Sequence, residues 1–174
     1  VRGTPIIIQI FIVYASVPLI LSLFFEKYNI NINVYNINPI WYAFIVFSFS
    51  TTAILIEVFR SALSTVNKGQ LEAAQSVGLS NFQAYRRIVI PQALVVALPN
   101  ICTATVNLIK ATSLGYAMSL QEITLKAKVA ANVGYNYVEA YIDIFLVYII
   151  LCSLVEYGFT IYEKRPRRYK YVSA

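Results

Sequence analysis

Asn67 to Pro91 reads NKGQLEAAQSVGLSNFQAYRRIVIP. It is the one polar, charged stretch of any length that lies between long apolar runs. The residues describe two short helices and a corner. Asn67 is placed to cap the first helix, with Gln70 at the capping-box position three residues on. Leu71, Glu72, Ala73, Ala74 and Gln75 favour helix. Gly78 falls where a C′ glycine ends one. Ser80 offers a second N-cap, and Asn81 to Ile90 continues helically until Pro91 opens the next apolar run. By these residues alone the stretch is a solvated helical hairpin between two buried or membrane helices.

Working outward, apolar runs cover about 5–25, 40–60, 88–110 and 140–162. At about 1.5 Å per residue each can cross a hydrocarbon core of about 30 Å. Gln9 and Pro18 interrupt the first, and neighbouring helices can accommodate both in a membrane. Trp41 and Tyr42 open the second at an interfacial position. Glu57 and Arg60 near its end can meet on one helix face. In the third run Thr103, Asn107 and Lys110 recur every three to four residues and share a face. Asp143 and Glu156 lie near the two ends of the last. Between the first two runs, residues 26–39 are polar and asparagine-rich, an exposed linker. Their Ile-Asn alternation would suit a short strand, but nothing nearby would pair with it. Residues 115–137 fit either an amphipathic helix lying at the outer face or a half-spanning helix. The chain closes on a basic tail, 164–174, that suits an anchor on anionic lipid.

Composition agrees. Apolar residues make up 59% of the 174 and charged ones 13%, far from a soluble domain and close to a membrane protein. The absence of histidine excludes histidine acid–base chemistry and histidine metal ligation. Cys102 and Cys152 fall inside apolar runs, as small hydrophobes do, and neither a disulfide nor a metal site is expected. Basic residues cluster at the edges of apolar runs and not in an aromatic-basic module, so membrane topology explains the positive balance better than nucleic acid does. No G-x-x-x-x-G-K-[ST] occurs, so the chain carries no P-loop for ATP. It opens at Val1-Arg2-Gly3-Thr4-Pro5 without a methionine, which predicts a fragment lacking its N-terminal part.

Several motifs carry a resemblance. Glu72-Ala73-Ala74, three residues, Gly78, nine residues and Ile88-Val89-Ile90-Pro91 resemble the EAA loop of bacterial ABC-importer permeases, with Ile90 at a usual leucine. Arg2-Gly3-Thr4-Pro5 followed by Gln9 resembles the RGTPLLVQ signature of the polar-amino-acid permeases. Glu57 and Arg60 resemble that family's E-x-x-R, with Ile54 replacing a tyrosine, and Ser61 and Ala62 a glycine pair. Lys110-Ala111-Thr112-Ser113-Leu114 resembles its K-D-T-S-L motif, with Ala111 at a usual acid. This variant and the tail resemble cystine-type members, although the residues do not identify the amino acid.

The resemblance implies an all-α, MetI-like transmembrane domain over 1–163, with four of the family's five spanning helices present. It implies a non-enzymatic transport subunit in the bacterial cytoplasmic membrane. ATP would be used by a separate cytoplasmic ATPase, with no cofactor on this chain. An extracytoplasmic substrate-binding protein would deliver the amino acid, and a second permease chain, identical or similar, would complete the pathway in the bilayer. Glu72, Ala73, Ala74 and Gly78 would form the ATPase-coupling site. Asn107, Lys110, Thr112 and Ser113 would line or support the substrate pathway; for Lys110 the alternative is an anchor whose stem reaches the outer surface. The positive-inside rule puts the Glu72 loop and the tail in the cytoplasm and Asn29–Asn38 outside. The competing classes are a permease for another small polar solute, an ATP-independent secondary transporter and a membrane scaffold. The secondary transporter and the scaffold do not account for the spacing from Glu72 to Pro91; a permease for another solute would share it.

Overall fold

The computed structural model describes residues 3–30 and 32–164. Arg2 of the Arg-Gly-Thr-Pro stretch and tail residues 165–174 lie outside the described residues. The order is α1 (Ile6–Lys27), a 3-10 turn (Val34–Asn36), α2 (Ile40–Ser64), α3 (Lys68–Ser76), α4 (Asn81–Ala84), a π turn (Tyr85–Val89), α5 (Ile90–Thr112), a 3-10 segment (Ser113–Met118), α6 (Ile123–Gly134) and α7 (Tyr137–Lys164). No strand occurs among the described residues.

Among the described residues, four helical stretches are long and apolar enough to cross a membrane: Ile6–Lys27, Ile40–Ser64, Asn81–Met118 and Tyr137–Glu163. Only 11% of the apolar window in the first and in the last is buried within the chain. Phe11, Leu19 and Ile20 on α1, and Phe145, Leu146 and Ile150 on α7, point outward. Lipid accommodates such faces at no cost, and every backbone polar group inside a helix is already satisfied. Gln9 resolves its own burial problem: its Nε2 donates back to the Thr4 carbonyl at 3.0 Å and to Thr4 Oγ1 at 2.8 Å. Asn29, at φ 52°, ends α1 in place of a glycine, with the Ile30 N–H donating to the Phe25 carbonyl at 2.9 Å.

The chain forms two compact units. The first combines Val1–Ala53 with Asn107–Leu151. Its core is Ile10, Tyr42, Ala43, Val46 and Met118, flanked by Tyr14, Phe47 and Leu114. Tyr14 meets Tyr42 edge-on at 5.8 Å between centroids. The 3-10 segment at Ser113–Met118 packs on α1 and on α6. Twelve residues of α6 reach about 18 Å, too short to cross the bilayer, which removes it from the spanning set.

The second unit combines Ile54–Val106 with Cys152–Ala174. Ala62 of α2 packs with Ala93 and Ala97 of α5, and small side chains of this kind let helices approach closely in lipid. Pro91 does not open a new element here. It is the second residue of α5, and the helix enters it through the π turn, where the Ile90 N–H donates to the Tyr85 carbonyl five residues back. Pro91 has no N–H for the Arg87 carbonyl and its ring crowds that position, so a widened turn precedes it.

Candidate coupling and transport sites

The hairpin of α3, α4 and the π turn lies within the second unit. Asn67 caps α3 by accepting from the Gly69 N–H at 2.8 Å. The full capping box forms at α4 instead: Ser80 Oγ accepts from the Gln83 N–H and Gln83 Oε1 accepts from the Ser80 N–H. Between them Gly78 has φ +83°. The Leu79 N–H donates to the Ala74 carbonyl at 3.1 Å and the Gly78 N–H to the Gln75 carbonyl at 2.9 Å, the paired bonds of a Schellman motif. Gln75 Nε2 then donates to Asn81 Oδ1 at 2.6 Å, across the corner.

This geometry sorts the four expected coupling residues. Glu72, Ala73 and Gly78 are exposed. Ala74 is 3% exposed, so its methyl group belongs to the interior of the hairpin, where α3 packs on α4 and the π turn. Two residues not singled out from the sequence stand out at the same corner. Val77 is 77% and Phe82 73% exposed, on either side of Gly78. Their signal in the sequence was present but weak: single apolar residues in a polar hairpin. Upstream, Glu57 and Arg60 form the expected ion pair on α2, with Arg60 Nε donating to Glu57 Oε2 at 3.1 Å.

The first unit holds a cavity of about 450 Å³. Ser48, Thr51 and Thr52 of α2 face Leu108 and Thr112 of α5 across it, and Phe47 and Leu120 add apolar walls. Of the four expected pathway residues, Thr112 lines this cavity. Asn107 and Lys110 are exposed and Ser113 is half-buried. Thr112 Oγ1 donates to the Ile109 carbonyl at 2.6 Å and Ser113 Oγ to the Lys110 carbonyl at 2.7 Å. Their protons are thus committed to their own helix, and toward the outside both oxygens act as acceptors. Thr103 on α5 is exposed, as are Asn107 and Lys110, while Ala104 and Val106 are buried, so the polar face points away from the helix's own packing.

Beside the cavity, α6 starts on Glu122, whose two carboxylate oxygens accept from the Thr124 and Leu125 N–H groups at 2.7 and 2.8 Å. Lys128 of α6 lies 4.0 Å over the Tyr116 ring and 5.7 Å from that of Tyr141, joining α6 to its neighbours by cation–π contact.

A family model described as the binding-protein-dependent transport system inner membrane component matches residues 1–168. The L-cystine transport system permease protein TcyL of Bacillus subtilis (strain 168) is 35% identical over 167 residues, covering 96% of this chain and 67% of its own length. The probable amino-acid permease protein YxeN of the same organism is 37% identical over 150 residues, 86% of this chain and 62% of its own. The chain therefore spans about two thirds of the length of these relatives. A solved amino acid ABC transporter, crystallised with histidines, matches with a TM-score of 0.76 at 24% identity, over 94% of this chain and 70% of that one, a likeness of fold. With its multiple apolar spans and its match over nearly the whole length, the chain belongs to the family of inner membrane components of binding-protein-dependent transport systems.

Proposed function

We propose that this chain is the permease subunit of an ATP-driven amino-acid importer. The observation that carries the reading is the corner at Gly78, which presents Glu72, Ala73, Val77 and Phe82 together on an exposed hairpin of the second unit. An apolar pair this exposed on a polar hairpin suits a groove on a soluble partner. That partner is a cytoplasmic ATPase, as the likeness of the Glu72–Pro91 loop to the EAA loop implies. Val77 and Phe82 supply the apolar anchors, Glu72 the polar contact, and Ala73 allows close approach. Ala74 acts indirectly, by letting α3 pack on the rest of the hairpin.

The amino-acid specificity rests on the relatives, named for L-cystine and for amino acids generally. The cavity chemistry agrees with it. The Thr112 hydroxyl oxygen, whose proton is committed to the Ile109 carbonyl, can accept from an ammonium group, and apolar walls suit a side chain. Asn107, Lys110, Thr112 and Ser113 line or support the path, with Lys110 available to a carboxylate. An extracytoplasmic binding protein delivers the substrate, and a second permease chain completes the pathway. Alternating access then proceeds by rocking of helix bundles. Orientation follows the basic residues, with the Gly78 hairpin inside and the asparagine-rich linker outside.

The test is uptake of L-cystine and L-glutamine by proteoliposomes holding the whole complex with its binding protein. ATP-dependent accumulation of an amino acid is the expected result. Accumulation without ATP, driven by an ion gradient, would replace the importer reading with secondary transport.

A further inference from the structure

Ser48, Thr51 and Thr52 stand three and four residues apart on α2, so their hydroxyls share one face, and all three line the cavity of the first unit. They differ from the threonines of α5. Thr103, Thr105 and Thr112 each donate to a carbonyl three or four residues back in their own helix. Ser48, Thr51 and Thr52 enter no such bond among the described residues. Each keeps a proton to donate, whereas Thr112, across the cavity, offers lone pairs only. The cavity thus has a donor wall and an acceptor wall. Phe44, Phe47, Leu108 and Leu120 make much of the remaining lining apolar, and no charged side chain lines it among the described residues. Lys110 is not in the lining, so a carboxylate inside the cavity depends on the hydroxyl donors. The volume of about 450 Å³ suits a small organic molecule.

We propose that this cavity reads a zwitterion with neutral hydroxyls and selects amino acids whose side chain carries no net charge: Ser48, Thr51 and Thr52 donate to the carboxylate, and Thr112 accepts from the ammonium group. The proposal rests on the importer reading above and gives it a substrate class and an orientation. A carboxylate only accepts and an ammonium only donates. Only the α2 wall can serve the carboxylate, which therefore turns toward α2 while the ammonium turns toward Thr112. The two opposite charges of the zwitterion lie close together and offset each other as they leave water. A net-charged side chain has no such counterpart in an uncharged lining, and its desolvation counts against entry. L-glutamate and L-arginine are refused where their uncharged isosteres, L-glutamine and L-citrulline, fit.

The experiment measures equilibrium binding of radiolabelled amino acids to the permease–ATPase complex in nanodiscs, with the extracytoplasmic binding protein left out so that its own selectivity does not enter. ATP-dependent uptake by the complete complex is followed beside it. L-cystine, L-glutamine and L-citrulline are compared with L-glutamate and L-arginine. At least one of the first three should bind at least about tenfold tighter than either of the last two, a low figure for an unpaired charge in an apolar lining. For the amino acid that binds, Thr51→Val should weaken binding about tenfold, the scale of a hydrogen bond to a charged group. Thr51→Ser keeps the donor and should stay within about twofold of the parent on that scale. The α-carboxamide analogue of the same amino acid lacks the carboxylate and should bind the parent weakly. Thr51→Val should cost that analogue less than about twofold more, since the partner of the hydroxyl is already gone. L-glutamate or L-arginine bound as tightly as the best of the other three would overturn the proposal, as would no saturable binding to a parent that transports. An unmoved Kd in Thr51→Val, a Thr51→Ser no better than Thr51→Val, or a full further loss for the carboxamide would each do the same. Should Thr51→Val fail to insert, Ser48→Ala puts the same question to the neighbouring donor, and the comparison of charged with uncharged amino acids needs no variant. A parental complex without ATP-dependent uptake of any amino acid defeats the importer reading itself. Uptake by a parent that binds charged and uncharged amino acids alike defeats only the selection proposed here.

Discussion

Replacing Gly78 separates backbone conformation from space at the corner between α3 and α4. Its φ is +83°, and a Cβ built there meets nothing within 4 Å. Any loss of the corner itself on substitution is therefore conformational. An L-residue in the left-handed region costs about 1–2 kcal/mol, which lowers the population of the native corner about 5- to 30-fold. Against this stand the two Schellman hydrogen bonds, each contributing about 0.5–1.5 kcal/mol net. Gly78→Ala should leave the corner near balance. Gly78→Val, stiffened by its β-branch, should lose it. Gly78→Asn should be mildest, since asparagine tolerates this region and Asn29 already adopts it at φ 52° in this chain. The assay is substrate-stimulated ATP hydrolysis by the reconstituted complex, with membrane insertion followed separately. The expected order of stimulation is Gly, Asn, Ala, Val, at unchanged insertion. A Gly78→Val complex stimulated like the parent would refute the reasoning. Equal losses for Gly78→Asn and Gly78→Val would show that contact with the partner governs the position, and not φ.

Lys110→Ala should lower amino-acid uptake by about tenfold, the scale of a charge-assisted contact, without lowering assembly with the ATPase; Lys110→Arg should restore it partly. Uptake equal to the parent would make Lys110 an interfacial anchor. In a background with Cys102 and Cys152 replaced, Asn33→Cys should label from outside intact cells and Gln75→Cys should not; external labelling at 75 would invert the topology. Ala97, 0% exposed between α2 and α5, has no room for a larger side chain. Ala97→Leu should destabilise the purified protein by about 1–3 kcal/mol, seen as a lower thermal midpoint in detergent.

The spanning helices were legible because length and apolarity decide them, and the Gly78 corner because its flanking helix formers and glycine agree. Ala74 was not: an alanine beside Glu72 fits an exposed approach surface and a tight interior equally well, and only packing distinguishes them. The π turn was hidden because Ile88, Val89 and Ile90 form an unbroken apolar run in which a one-residue change of period leaves no trace. For the same reason Pro91 looked like a boundary when it lies inside a continuous helix. Thr103, Asn107 and Lys110 were read as one face of α5, but Ser48, Thr51 and Thr52 face Thr112 from α2, about sixty residues earlier in the chain, a pairing that spacing cannot reveal.

The turn at Tyr85–Val89 gives the second unit a gear tooth. An α-helix advances about 100° per residue, so one residue more in that turn sets the azimuth of α4 against Ala93 and Ala97 by about that angle. Tightening the turn to ordinary α-helix would swing the hairpin through the same arc while Ala93 and Ala97 stayed seated on Ala62. A chain shorter by one residue here would keep its spans and every contact of α5, yet aim Phe82 at a different quarter of the circle.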